Sequence, residues 1–213
     1  MKRIVVVDYG SGNLKSVSKA LEAVAGKDES VAVSSDPAAV RSADRIVLPG
    51  QGAMGDCMKH LNESGLREEV LRAFSEKPVF AVCIGLQMLF EESEEGNSLG
   101  LGVFRGRVLR YPPTAMRTAS GARLKVPEMG WNRVYQTRSH PLWEGIADGS
   151  WFYLVHSYFA APEDMRIVAG MTSYGLPYTT AVAKGNIFAT QFHPEKSAAD
   201  GLRLYSNFLR WNP

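Results

Sequence analysis

Cysteine is scarce in this chain: only Cys57 and Cys83 occur among 213 residues. That excludes a disulfide framework and, with no Cys-x-x-Cys pair, a thiol-based zinc or redox motif. Long apolar runs are missing as well, and no stretch approaches the ~20 residues a membrane helix needs. The opening MKRIVVVDYG reaches Asp8 too soon to be a signal peptide. Charge of one sign is not in excess either. A net charge of +2 gives no electrostatic ground for a nucleic-acid or anionic-membrane partner. Internal repeats and long linkers are also absent. What remains is 45% apolar and 22% charged, the composition of an ordinary globular protein. The expectation is one domain over residues 1–213, soluble and cytoplasmic, with no metal and no cofactor.

The patterning predicts an α/β fold: a mostly parallel central sheet with flanking helices, plus a smaller antiparallel region. Residues 2–8 read as a buried strand, with three consecutive valines ending at Asp8. Leu14, Val17, Leu21 and Val24 then repeat at helical spacing. Residues 31–34 and 45–48 give further strands, and Asp36-Pro37 is a helix start with proline at the first position. Residues 66–74 form an amphipathic helix. The run from Glu91 to Gly96 reads as a solvated helix end. Beyond it, residues 101–111, 125–134, 151–155, 166–171, 180–183 and 187–191 read as shorter strands, with 112–122 an exposed loop. Residues 198–211 form a closing helix. In parallel sheets of this kind ligands sit beyond the carboxyl ends of the strands.

Three features fall at such strand ends. The first is Cys83, between the apolar run Pro78–Ala81 and the helix-compatible residues 84–90, with Gly85 two positions on. This is the nucleophile-elbow pattern of hydrolases with sulfur in place of oxygen, and helical N–H groups beside the sulfur favour thiolate. A buried core cysteine is the alternative. The second is Pro49-Gly50-Gln51-Gly52-Ala53-Met54-Gly55. It contains G-x-G-x-x-G, yet it follows the third strand, carries a proline before the first glycine and lacks a downstream ribose-binding carboxylate. Presenting backbone N–H groups to a developing negative charge is its other use. The third is Gln191-Phe192-His193-Pro194-Glu195, where a carboxylate two residues from an imidazole can orient it. Nucleophile, donors, base and orienting acid are the parts acyl transfer requires. Cys57, on a helix with Asp56 and Lys59, is read as incidental, and His60 and His140 lack evident partners.

VCIGLQMLF and ATQFHPEKS resemble the class I (triad-type) glutamine amidotransferases. VVDYGSGNLKSV, LPGQGAM, KVPEMGWN and FYLVHSY extend the likeness over nearly the whole chain, toward the glutaminase subunits of imidazole glycerol phosphate synthase. The resemblance implies that Cys83 attacks the glutamine carboxamide, with His193 as base and then acid and Glu195 orienting it. It implies an oxyanion site from Gly50, Gln51, Gly52 and Ile84, and substrate contacts from Gly52, Gln87, Ser157 and Tyr158. It further implies a (β/α)8-barrel cyclase partner that receives ammonia and makes imidazole glycerol phosphate and AICAR, with Asn13, Trp131 and Lys184 at or near the interface. Trp131 in the core is the alternative for that residue. The chain departs from the pattern at Ala81, commonly glycine, at Glu128, usually histidine, and in a longer 112–122 loop. Other readings are a glutaminase for an anthranilate, aminodeoxychorismate or sugar pathway, a non-catalytic binding subunit, or a dinucleotide binder.

Overall fold

A computed structural model describes residues 1–118 and 120–213. The first half alternates strand and helix: β1 (Lys2–Val7), α1 (Leu14–Glu22), β2 (Glu29–Ser34), α2 (Pro37–Ser42), β3 (Arg45–Gly50), α3 (Met54–Glu63), α4 (Arg67–Glu76), β4 (Val79–Cys83) and α5 (Ile84–Gln87). Short strands follow: β5 (Glu92–Ser93), β6 (Ser98–Leu99), β7 (Gly106–Arg110), β8 (Glu128–Gln136), β9 (Ser150–His156), β10 (Tyr158–Pro162), β11 (Val168–Ser173), β12 (Pro177–Lys184) and β13 (Ile187–Thr190), before α6 (Ala198–Arg210). The sheet runs β2-β1-β3-β4-β13-β12-β10-β7-β5-β6, with β11 pairing β12 and β8, and β8 pairing β9. From β2 to β13 every pairing is parallel. β12 returns antiparallel through the Gly185-Asn186 turn, with Lys184 opposite Ile187.

The central strands are apolar on both faces because both faces are covered. Ile46, Val47 and Leu48 of β3 and Val79, Phe80 and Ala81 of β4 are fully buried. β2 is an edge strand and leaves Val33 partly in solvent. α2 starts where the sequence predicts: Asp36 accepts from the Ala38 N–H at 2.9 Å, and Pro37 occupies the first turn. α6 packs Tyr205 and Phe208 edge-on against Phe80 of β4, with ring centroids 5.3 and 5.4 Å apart. Among the described residues no helix is long and apolar enough to cross a membrane.

Several predicted bounds shift, each for a local reason. The strand expected over residues 101–111 is confined to β7, because Gly102 and Gly106 take positive φ and break the extended run. The strand expected from residue 125 begins at Glu128, since Pro127 has no N–H for a ladder. The helix after Cys83 is one turn, closed by hydrogen bonds from the Leu89 and Phe90 N–H groups to Leu86 and Gln87. Residues 92–93, read as a solvated helix end, are the strand β5 with Ser93 buried. The 112–122 loop exposes Pro112 to Thr114 but buries Met116 against Tyr111, Phe159 and Tyr178; its Ala119 lies outside the described residues.

Candidate active site

β3, β4 and β13 lie side by side and point the same way, so their carboxyl ends meet. Gly50 is in register with Cys83, and Val82 with Thr190, three residues before His193. The chain order is thereby irrelevant: the sheet brings together residues more than a hundred positions apart.

Cys83 closes β4 at φ 56 and ψ −108. A non-glycine side chain in that region is strained, and the tightness of the strand-to-helix turn is what holds it there. Gly85 makes the turn possible. A Cβ on it would stand 2.1 Å from the Leu48 carbonyl oxygen of β3. A Cβ on Gly50 would meet Ile84 Cβ at 2.7 Å, so the glycine loop also rests directly on the elbow. Ala81, fully buried in mid-strand, accommodates its methyl without displacing the turn.

His193 is 4% exposed, and its Nδ1 lies 2.9 Å from Glu195 Oε1. A carboxylate facing Nδ1 fixes the proton there. The other ring nitrogen, Nε2, is buried and makes no hydrogen bond among the described residues; His193 lines the same cavity as Cys83. Burial works against the imidazolium, but the Cys83 sulfur and then the Glu195 carboxylate outweigh it and hold His193 up at about 10. Glu195 is itself steadied by Asn13 Nδ2 and the Tyr205 hydroxyl, each at 3.5 Å.

A cavity of about 250 Å³ opens over the sulfur, walled by Gln51, Gly52, Ile84, Gln87, Ser157 and Tyr158. Gln87 is buried; its Nε2 donates to the Tyr158 carbonyl and to Gln191 Oε1, both at 3.1 Å, leaving Oε1 without a partner. The residues predicted for nucleophile, base, oxyanion loop and substrate contacts, Gly50 excepted, therefore line one cavity. Asn13 joins them through Glu195.

Trp131 does not pack in the core. It is 50% exposed on the outer face of β8, edge-on to Tyr153 at 6.2 Å. The Tyr153 carbonyl accepts from the His193 N–H at 2.9 Å, and Lys196 lies over its ring at 5.5 Å, so Trp131 adjoins the site. Lys184 is not brought here. It closes β12 opposite the first residue of β13, at the opposite pole, lining a cavity of about 820 Å³ with Lys77 and Arg138.

The sequence reading missed three groups. Gln191 directs its Nε2 to Cys83 Sγ at 3.7 Å, although it sits in the motif already singled out. Glu95 lines the cavity and caps α3, accepting from the Met54 N–H at 2.8 Å. Cys57 is buried, not on a polar surface, and its thiol bonds the Gln51 carbonyl at 3.3 Å beside Ser11, whose hydroxyl donates to the same oxygen at 2.9 Å. No sequence period signals such long-range carbonyl contacts. His140 also has a partner: its Nδ1 accepts from the Leu142 N–H at 3.2 Å, and burial lowers its pKa to about 4.

The family described as Glutamine amidotransferase class-I matches residues 5–211. The chain is 59% identical over 210 residues to the imidazole glycerol phosphate synthase subunit HisH of Dechloromonas aromatica (strain RCB), covering 99% of this chain and 97% of that one. Its counterpart in Aromatoleum aromaticum is 56% identical over the full length of both. Among solved structures, a glutamine amidotransferase superimposes with a TM-score of 0.71 at 19% identity, over 97% of each chain. A putative GMP synthase subunit from Thermoplasma acidophilum does so at 0.68 and 18%, over 99% of this chain and 93% of that one. The chain belongs to the class-I glutamine amidotransferases and, within them, to the glutaminase subunits of imidazole glycerol phosphate synthase.

Proposed function

We propose that Cys83, His193 and Glu195 hydrolyse glutamine, and that the ammonia passes to a (β/α)8-barrel cyclase subunit making imidazole glycerol phosphate and AICAR. The carrying observation is the buried, unpartnered His193 Nε2 in the cavity that also exposes the Cys83 sulfur to a substrate. With the sulfur and the Glu195 carboxylate holding His193 up at about 10, the imidazole takes the thiol proton as the sulfur attacks. The thiolate adds to the carboxamide carbon, and the imidazolium gives its proton to the departing nitrogen as the C–N bond breaks. Neutral His193 then takes a proton from water attacking the thioester and gives it to the sulfur as the C–S bond breaks. The oxyanion meets backbone N–H groups at Ile84 and in the Gly50–Gly52 loop, where one such donor contributes ~10²–10³ in rate. Gln87 Oε1 accepts from the substrate, and Glu95 faces its ammonium group.

The exposed Met129 and Trp131 on β8, with Asn13 beside Glu195, form the surface where the cyclase docks. Tryptophan is among the residues that carry most of the binding energy when an interface buries them. Lys184 is outside that surface. Glutamine hydrolysis, measured alone and with the cyclase, tests the reading. Cys83→Ala is expected to end glutamine use in the complex while free ammonia still supports synthesis. Glutamine-driven synthesis persisting in that variant would overturn it.

A further inference from the structure

The strand that turns Trp131 outward begins inside, at Glu128. This carboxylate is 3% exposed. Its Oε2 accepts from the Tyr111 hydroxyl at 2.8 Å and the Tyr178 hydroxyl at 2.6 Å, and its Oε1 from Asn132 Nδ2 at 2.9 Å. Across the β8–β9 ladder Glu128 faces His156. His156 Nε2 lies 3.7 Å from Oε2 and 3.2 Å from the Tyr178 oxygen. On its other side, His156 Nδ1 lies 2.9 Å from the Tyr158 carbonyl, the same carbonyl that accepts from Gln87 Nε2. Ser157 and Tyr158 wall the cavity above Cys83. An unbroken line of hydrogen bonds thus runs from Glu128 through Tyr178 and His156 to that wall.

Counting protons shows how tightly the line is specified. A carbonyl only accepts, so His156 Nδ1 carries a hydrogen. Burial keeps the Tyr111 and Tyr178 phenols protonated. Tyr178 has one hydrogen and two close neighbours, a carboxyl oxygen and Nε2, each of which needs a hydrogen between it and the phenol oxygen. A carboxylate, a phenol and a neutral imidazole would leave one of those gaps empty, with lone pairs opposed in a buried site. Each member of the line thus depends on its neighbour for a hydrogen, and removing one opens a gap. Burial first, and His193 after it, outweigh the bond to the Tyr158 carbonyl and push His156 down to about 3, so an imidazolium is disfavoured there. None of these groups touches the sulfur, and the steps above do not use them.

We propose that Glu128 is a positioning residue for glutamine: acting through Tyr178 and His156, it fixes the Ser157–Tyr158 wall of the substrate cavity. The inference rests on the reading of that cavity as the glutamine site. It also gives Glu128 a place away from the oxyanion loop, since its carboxylate bonds only Tyr111, Tyr178 and Asn132 among the described residues. Loss of the line leaves the wall mobile, which weakens substrate binding and leaves the triad in place.

The test uses the assembled complex, with glutamine and with free ammonia as alternative nitrogen sources. Tyr178→Phe removes one oxygen and cuts the line; Glu128→Ala removes its origin. Both are expected to raise KM for glutamine about tenfold or more, equivalent to ~1.4 kcal/mol of binding. Their kcat and ammonia-dependent rate should stay within about threefold, well short of one such step. Glu128→Gln keeps the size of the side chain and the oxygen that accepts from Asn132 but turns the other oxygen into a donor, so it should raise KM less than Glu128→Ala does. An unchanged KM in Tyr178→Phe overturns the proposal, even if Glu128→Ala fails to fold. So does a KM in Glu128→Gln as high as in Glu128→Ala. Cys83→Ala, run alongside, separates this from the parent reading: glutamine use surviving there sinks the cavity assignment itself.

Discussion

Gly85→Ala tests whether the elbow, and not the mere presence of a thiol, makes the site. The added Cβ would lie 2.1 Å from the Leu48 carbonyl oxygen and 3.2 Å from its carbon. Carbon–oxygen contacts in proteins settle at ~3.3–3.6 Å. The first turn of α5 must therefore lift from β3 by more than about 1 Å. Leu48 cannot yield, because it is backbone in a fully buried strand paired on both sides. Overpacking of this kind costs ~1–3 kcal/mol, occasionally more. That is ~2–12 °C of melting temperature for a chain of this size, and less than the ~5–15 kcal/mol that keeps a domain folded. The rate should suffer more than the fold. Cys83 and the Ile84 N–H both sit on the lifted segment, and ~1 Å of misplacement costs on the order of 10² in rate. Calorimetry and glutamate release in the complex give the two readouts. Wild-type turnover in a folded Gly85→Ala protein would show that the tight strand-to-helix turn is not what positions the sulfur.

Ala81→Gly should behave oppositely: it removes a buried methyl and loosens a strand, losing ~1–2 kcal/mol of stability by denaturant unfolding with turnover nearly unchanged. Because the Cys83 sulfur and Glu195 hold His193 up at about 10, its ring resonances should titrate above the ordinary histidine range by NMR. In Cys83→Ser the same ring should titrate at lower pH; an unmoved titration would show that the sulfur does not hold the imidazole up. Glu195→Gln, with an amide facing Nδ1, should lower kcat by ~10²–10⁴ with little change in KM.

The parallel half of the fold was legible because strands buried on both faces are written as unbroken apolar runs, as at Ile4–Val7 and Ile46–Leu48. The candidate site residues were legible for a different reason: each stands just past such a run, and a parallel sheet gathers those ends. The antiparallel half was harder. β5 and β10 are short and borrow their pairing from β7, so no local pattern announces them. Glu95 and Ser93 read as part of an acidic surface run because their partners, Met54 and the neighbouring strand, are remote in sequence. Cys57, read as incidental, and Gln191, named without a role, gave no sign of their contacts, since what they bind, a carbonyl and a sulfur, exists as a partner only after folding. Lys184 was placed with the partner by likeness alone, whereas the antiparallel return of β12 carries it to the far pole.

The most direct measurement is mass spectrometry of the complex quenched during glutamine turnover. The expected result is a γ-glutamyl group on the peptide containing Cys83, and none on that containing Cys57. Steady turnover with Cys83 never acylated, or with its thiol replaced, would contradict the account.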